Sequence, residues 1–344
     1  VAVCDQVEDP KLTKKIVKRG ITELVTPGIA YNEQLLVQKE NNFLCALYFT
    51  GSNSCGIAFL DISTGTFRVA EGSLDYVEVL LSDFSPKEVV IQREYRKGFQ
   101  ERFGSGYYLS TMEEWAFVPQ ACSEKLTKQL GVDSLKGFGI DNLKLGITAA
   151  GAVLFYLENN YNSGSAHICT VSRIDRGDFV WLDRFTFRNL EIFASATGTN
   201  GVSLLDVIDK TVSPLGGRLL RIWLSMPLKE REAINERHNI VSYFVQYPDI
   251  LSLLRDKLSK VGDLERIAAR AAAGKIMPRE IMQLKRGLEQ MGPIKELCIR
   301  AEEESLVAMG KKIELFNSLR AIITGKLSNE PAAQFGKGDI IADN

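Results

Sequence analysis

The chain has 344 residues, with 42 Lys and Arg against 43 Asp and Glu, a net charge of −1. That length passes the roughly 250–300 residues at which single cores stop growing, so two or more domains are expected. The charge balance excludes a global pull toward nucleic acid or an anionic membrane, so any such contact must come from a local patch.

Cys4, Cys45, Cys55, Cys122, Cys169 and Cys298 are scattered, with no C-x-x-C pair and no adjacent histidine. Reduced thiols are therefore expected rather than a zinc set or a disulfide framework. No apolar run approaches the roughly 20 residues needed to span a bilayer. No signal peptide opens the chain, and its start at Val-Ala-Val-Cys-Asp-Gln, without Met, suggests a piece of a longer protein.

Val1 to Gly20 reads as a short strand, a turn at Asp9-Pro10 and a helix with Lys11, Lys14, Lys15 and Lys18 on one face and Arg19 beside them. Such a stripe can displace counterions from DNA phosphates without reading sequence. A solvated helix face is the more ordinary reading, and the balanced composition favours it. Thr26-Pro27-Gly28 follows as a turn and a candidate boundary.

Phe43–Phe49, Cys55–Asp61 and Thr66–Ala70 are apolar strands separated by turn-forming residues, an antiparallel meander. A helix over Ser73–Asp83, a strand over Glu88–Ile91 and helices over Ser123–Leu130 and Ile147–Asn159 complete an αβ pattern. Three strands, a helix, a strand and closing helices are the order of a ribonuclease-H-like domain. In nucleases of that shape, carboxylates at strand ends hold divalent metals that activate water. Asp61 ends an apolar strand and suits that role, but a second acid is missing: the strand VVIQREY offers only Glu94 beyond its end, and Asp141 follows Gly-Phe-Gly-Ile without a helical partner. A metal-dependent nuclease using Asp61 is therefore the alternative reading, and a strand-end Asp61 satisfying turn amides is preferred.

Tyr161–Ala166 is a polar Gly/Ser linker, and Cys169-Thr170-Val171 and Phe179–Leu182 read as short strands around an Arg176-Gly177-Asp178 turn. Asp183 is placed to cap a helix running to Ala194. From there the chain is helical by period. Leu204–Leu228 joins two apolar helical turns through a Ser-Pro-Leu-Gly-Gly break, and Gly216 and Gly217, with Trp223, are expected to form a close-packed structural hub. Helices follow over Glu232–Phe244, Ile250–Val261, Asp263–Ala273 and Pro278–Met291, with one or two more over Pro293–Leu327.

No G-x-x-x-x-G-K-[ST], G-x-G-x-x-G, G-x-S-x-G or H-E-x-x-H occurs, and His167 and His238 stand alone. Residue by residue the chain reads as multidomain α/β plus all-α with no visible catalytic, cofactor or metal site.

Several ordered stretches carry a resemblance: VAVCDQVEDPKLTKKIVKRGITELVTPG, LDISTGTF, GFGIDN, FVWLDRFTFRNLEIF, LLDVIDKTVSPLGGRLLRIWLSMPL and VGDLERIAARAA. The sequence resembles the bacterial MutS mismatch-repair family over essentially its whole length. The resemblance implies the end of a mismatch-recognition domain (1–30), a ribonuclease-H-like connector domain (31–160), a linker (161–175) and a helical-bundle core or lever domain (176–344). It implies a cytoplasmic, nucleoid-associated, homodimeric ATP-driven clamp on mismatched double-stranded DNA that recruits MutL through the connector. The mismatch-reading Phe-x-Glu and the ATP- and magnesium-binding P-loop are expected outside these residues. This portion is then expected to be a non-catalytic scaffold that transmits signals.

Overall fold

The computed structural model describes the chain except residues 1, 7–16, 18, 25, 31–34, 52, 161–164, 176, 196–200, 329, 333–338 and 343–344. The chain divides into two compact units, one made of Val1–Val37 and Asn41–Asp175, the other of Gln38–Glu40 and Arg176–Asn344.

In the first unit β1 (Ala2–Gln6) pairs antiparallel with β2 (Arg19–Leu24). Arg19 therefore opens a strand, exposed, and does not close a helix as its place beside the lysines suggested. The main sheet is built from β3 (Phe43–Phe49), β4 (Ser54–Asp61) and β5 (Thr66–Ser73), joined antiparallel. After α1 (Leu74–Phe84) come β6 (Glu88–Gln92), α2 (Arg96–Phe103) and β7 (Leu109–Met112). α3 (Pro119–Leu130), α4 (Lys144–Asn160) and β8 (Ser172–Arg173) close the unit. The described strands of this main sheet lie in the order β7-β6-β3-β4-β5-β8, with β6 parallel to β3, β7 parallel to β6 and β8 parallel to β5.

Strand alternation sorts the core into two faces. Leu44, Ala46, Ala58, Leu60, Val69 and Val90 join one cluster with Ala149, Val153 and Leu157 of α4. Phe43 and Phe59 point the other way, onto Phe84 of α1 at ring-centroid distances of 5.4 and 4.4 Å. α4 lies hard on its face because a Cβ at Gly56 would stand 2.0 Å from the Leu145 carbonyl oxygen. α1 starts where the Ser73 hydroxyl accepts from the Tyr76 amide and stops at left-handed Ser85, just before Pro86. α3 begins earlier than its apolar period indicates, because Pro119 occupies the first turn, where no amide is needed. α2 and β7 escaped the sequence reading. α2 buries only Phe99 and Phe103, and Met112 is the one buried residue of β7.

The second unit is helical: α5 (Arg184–Asn189), α6 (Leu204–Ile208), α7 (Pro214–Ser225), α8 (Arg231–Gln246), α9 (Pro248–Ser259), α10 (Leu264–Ala272), α11 (Pro278–Ile299), α12 (Glu304–Lys311) and α13 (Asn317–Lys326). Tyr243, Leu254, Val261, Ile294, Cys298 and Leu306 belong to one apolar cluster in it. Asp183 caps α5, accepting from the Thr186 amide, but the helix ends well short of Ala194, and Glu191 turns left-handed at φ 50°. The strand expected at Cys169-Thr170-Val171 begins three residues later, at Ser172–Arg173, and Phe179 makes only an isolated bridge to Leu228. Pro293 lies inside α11 and does not start a helix. Its ring removes one backbone bond, and the burial of Ile294 and Cys298 just beyond carries the helix through.

Candidate functional site

Asp61 is fully buried at the end of β4. Its Oδ2 accepts from Asn41 Nδ2 at 2.8 Å and the Asn42 amide at 3.1 Å. Its Oδ1 accepts from the Ser63 amide at 2.9 Å and the Ser63 hydroxyl at 2.7 Å. The Asp61 carbonyl takes the Thr64 and Gly65 amides. A carboxylate has about four lone-pair positions, and here each is met by a donor of the adjoining loops. Glu94 and Asp141 are both exposed, and among the described residues no three His, Cys, Asp or Glu groups converge on a metal-sized site. Asp61 is a turn-organising residue, and the nuclease alternative is corrected on that geometry.

A second buried carboxylate, Glu88, went unread because it opens an apolar strand. Its Oε1 accepts from Ser110 Oγ and Tyr156 OH, each at 2.5 Å. Its Oε2 accepts from the Gly28 amide at 3.0 Å and from the Thr26 hydroxyl. Burial, then Glu88 itself, pushes the Tyr156 phenol well above its usual range. A Cβ at Gly28 would stand 2.8 Å from Glu88 Cβ, so only glycine lets the Thr26–Gly28 turn lie on this carboxylate.

In the helical unit the Leu204–Leu228 stretch is organised differently from its apolar pattern. The break runs over Asp209–Ser213. Ser213 caps α7, and Pro214, Gly216 and Gly217 belong to its first turn. Leu219 and Trp223 are 48% and 40% exposed, with the Arg237 guanidinium 3.6 Å above the Trp223 ring. The buried side of α7 carries Gly217, Arg218 and Ser225. Arg218, 3% exposed, is what the stretch is built around.

Arg218 donates bidentately to Asp263, Nη1 to Oδ2 at 2.8 Å and Nη2 to Oδ1 at 2.7 Å. Nη2 also reaches Glu265 Oε2 at 2.6 Å, and Nη1 reaches the Gln38 carbonyl at 2.9 Å. Asp263 in turn caps α10 by accepting from the Arg266 amide. Arg266 Nη2 donates to the Glu40 carbonyl at 2.7 Å, and Arg221 Nη2 to Glu40 Oε1 at 2.7 Å. Lys39 Nζ spans Asp209 and the Thr211 carbonyl at 3.0–3.1 Å. Burial works against ionisation at Asp209, but Thr211 and Lys39 hold its carboxyl down at about 2. The Gly217 position lies over the Lys39 stem, where a Cβ would meet Lys39 Cγ at 2.6 Å. At Gly217 the expected backbone-to-backbone approach is thus a helix against a lysine side chain, whereas at Gly216 the nearest atoms are side-chain atoms of Ser213 and Thr211. Dispersed sequence separations of 45 to 226 residues hid this cluster from any local motif.

Lys11, Lys14, Lys15 and Lys18 lie outside the described residues. No described helix is long and apolar enough to cross a membrane.

Comparison with known proteins follows the same division of the chain. Family models described as MutS domain I, MutS domain II and MutS domain III match residues 1–34, 42–168 and 185–343 in that order. The DNA mismatch repair protein MutS of Parabacteroides distasonis is 48% identical over 342 residues, 99% of this chain and 39% of the relative. That of Bacteroides fragilis is 48% identical over 343 residues, 100% of this chain and 40% of the relative. That of Flavobacterium johnsoniae is 44% identical over 342 residues, 99% and 39% respectively. The chain therefore spans about two fifths of the length of the curated relatives it matches.

Proposed function

This chain belongs to the MutS family, and from that membership we propose that it is the connector-and-core portion of a DNA mismatch-repair protein, a scaffold that docks partners and transmits signals. The carrying observation is the ordered succession of domain I, II and III matches along one chain. In this reading 1–30 is the tail of a mismatch-recognition domain, 31–160 the connector, 161–175 a linker and 176–344 the start of the core and lever. The strand order β5-β4-β3-β6-β7, three antiparallel strands then two parallel ones, supports a ribonuclease-H-like connector. Asp61, the acid that ends β4, is fully engaged by Asn41, Asn42 and Ser63. Such a connector binds rather than cuts.

ATP and magnesium, which the family uses, do not fit the residues present: no phosphate-cradling G-x-x-x-x-G-K-[ST] occurs in the sequence. The catalytic step is therefore assigned elsewhere in the family's longer protein, together with mismatch reading. What is left to this portion is MutL docking and mechanical linkage through helices whose ends pack in discrete ways. The test is capture of MutL by the whole chain. Retention at low salt is the expected outcome. Failure to retain MutL, while the chain remains folded by circular dichroism, would remove the docking role.

A further inference from the structure

Gln38–Glu40 interrupts the first unit and belongs by its contacts to the helical one. Each of its residues is held by charge. The Gln38 carbonyl receives Arg218, the Lys39 ammonium sits between Asp209 and the Thr211 carbonyl, and Glu40 receives Arg266 on its carbonyl and Arg221 on its carboxylate. The donors come from two helices: Arg218 and Arg221 from α7, Arg266 from α10. Asp263 and Glu265 hold Arg218 from the α10 side.

From this we infer that Gln38–Glu40 is an ionic strap, an element that bridges α7 and α10 and seats or releases as a single unit. The inference rests on the geometry of the helical unit alone and stands independently of the family reading. Two carbonyls bracketing Lys39 are bound by buried guanidinium groups, so withdrawing one residue strips acceptors from cations that have little water to replace them. Arg218 Nη1 serves the Gln38 carbonyl and Asp263 together, so the strap is intact only while α7 and the α10 cap keep their present spacing. Arg is suited to this because its planar fork meets a carboxylate bidentately and still has donors for a carbonyl. The pair nearest solvent, Lys39 with Asp209 at 3.0 Å, has side chains 42% and 19% exposed and is the end from which release begins.

Cleavage after Lys39 by a lysine-specific protease reads the strap directly, because a seated Lys39 offers the enzyme neither its ammonium nor a free flanking backbone. Lys285 in α11, whose side chain is 13% exposed, serves as the internal reference for opening of the helical unit. Rates are measured by mass spectrometry on the full chain. Arg218→Met is expected to raise cleavage after Lys39 at least tenfold (about that or more, the scale of a lost buried charged hydrogen bond) with cleavage after Lys285 unchanged. If Arg218→Met leaves cleavage after Lys39 at the wild-type rate, the strap is refuted. If both sites rise together, Asp209→Asn decides, since it removes the carboxylate partner of Lys39, leaving only the Thr211 carbonyl, and leaves Arg218 with its carboxylates. A gain of roughly threefold or more at Lys39 alone, as for a partly exposed ion pair, supports the strap. No gain there overturns it.

Discussion

Asp83 lies on the last turn of α1, and burial pushes its carboxyl up to about 8 from an ordinary 3.8. Between those two values the folded chain retains a proton that the unfolded chain releases, so this group's contribution is complete below pH 3.8 and is lost as pH rises through about 8. His167 works the other way. Burial lowers it from 6.5, with Nε2 against the Ile62 carbonyl, so its effect is a loss of stability as pH falls below that value. The difference between Asp83→Asn and wild type isolates the first effect. At pH 8 the variant is expected to melt higher by at least about 3 °C, the shift about 1 kcal/mol produces in a domain of this size, with no gap at pH 4. Equal melting temperatures at both pH values would show that Asp83 does not carry the proton. At this scale the sequence was informative where chemistry is local. Asp61 at a strand end ahead of Ile-Ser-Thr-Gly-Thr announces a turn acid, and Asp183 announces a cap. Glu88 and Arg218 did not announce themselves, because their partners lie 22 to 180 residues away.

Elements followed the same division. The β3–β5 meander, α1 and α4 were legible because period-2 and period-3.6 patterns coincide with two buried faces. α7 misled because its leucine spacing is helical while its buried edge is Gly217, Arg218 and Ser225, an arrangement apolar counting cannot see. The two glycines of that helix therefore differ in weight. A Cβ at Gly217 would stand 2.6–2.8 Å from the Lys39 stem, whereas at Gly216 the nearest atom is Ser213 Oγ at 3.2 Å. Gly217→Leu is expected to cost about 1–3 kcal/mol by overpacking, while Gly216→Ala stays within roughly 0.5 kcal/mol of wild type, as helix propensity offsets the tighter contact. Urea unfolding of the two variants checks the order, and equal losses would contradict the Lys39 packing.

For the whole molecule, the near-neutral charge leaves any DNA affinity to a local stripe. If Lys11, Lys14, Lys15 and Lys18 contact phosphates, changing all four to Ala should lower the slope of log affinity against log salt by roughly 3–4 on duplex DNA, since each contact releases about 0.9 counterion. A slope unchanged by the substitutions assigns those lysines to solvent. The shift to helical period past Asp183 was legible, but the membership of Gln38–Glu40 in the helical unit was not, because three polar residues carry no pattern of their own. That membership also sets an order of events during synthesis. The Arg266 that binds the Glu40 carbonyl follows it by 226 residues. At about 5–20 residues per second the strap waits roughly 10–45 s after leaving the ribosome before α10 exists to receive it. The intervening αβ sheet has time to fold before α10 exists to receive the strap. A synonymous-codon slowdown placed before Arg218 should therefore be harmless to folding yield, whereas a circular permutation that delivers Gln38–Glu40 last should delay completion of the helical unit.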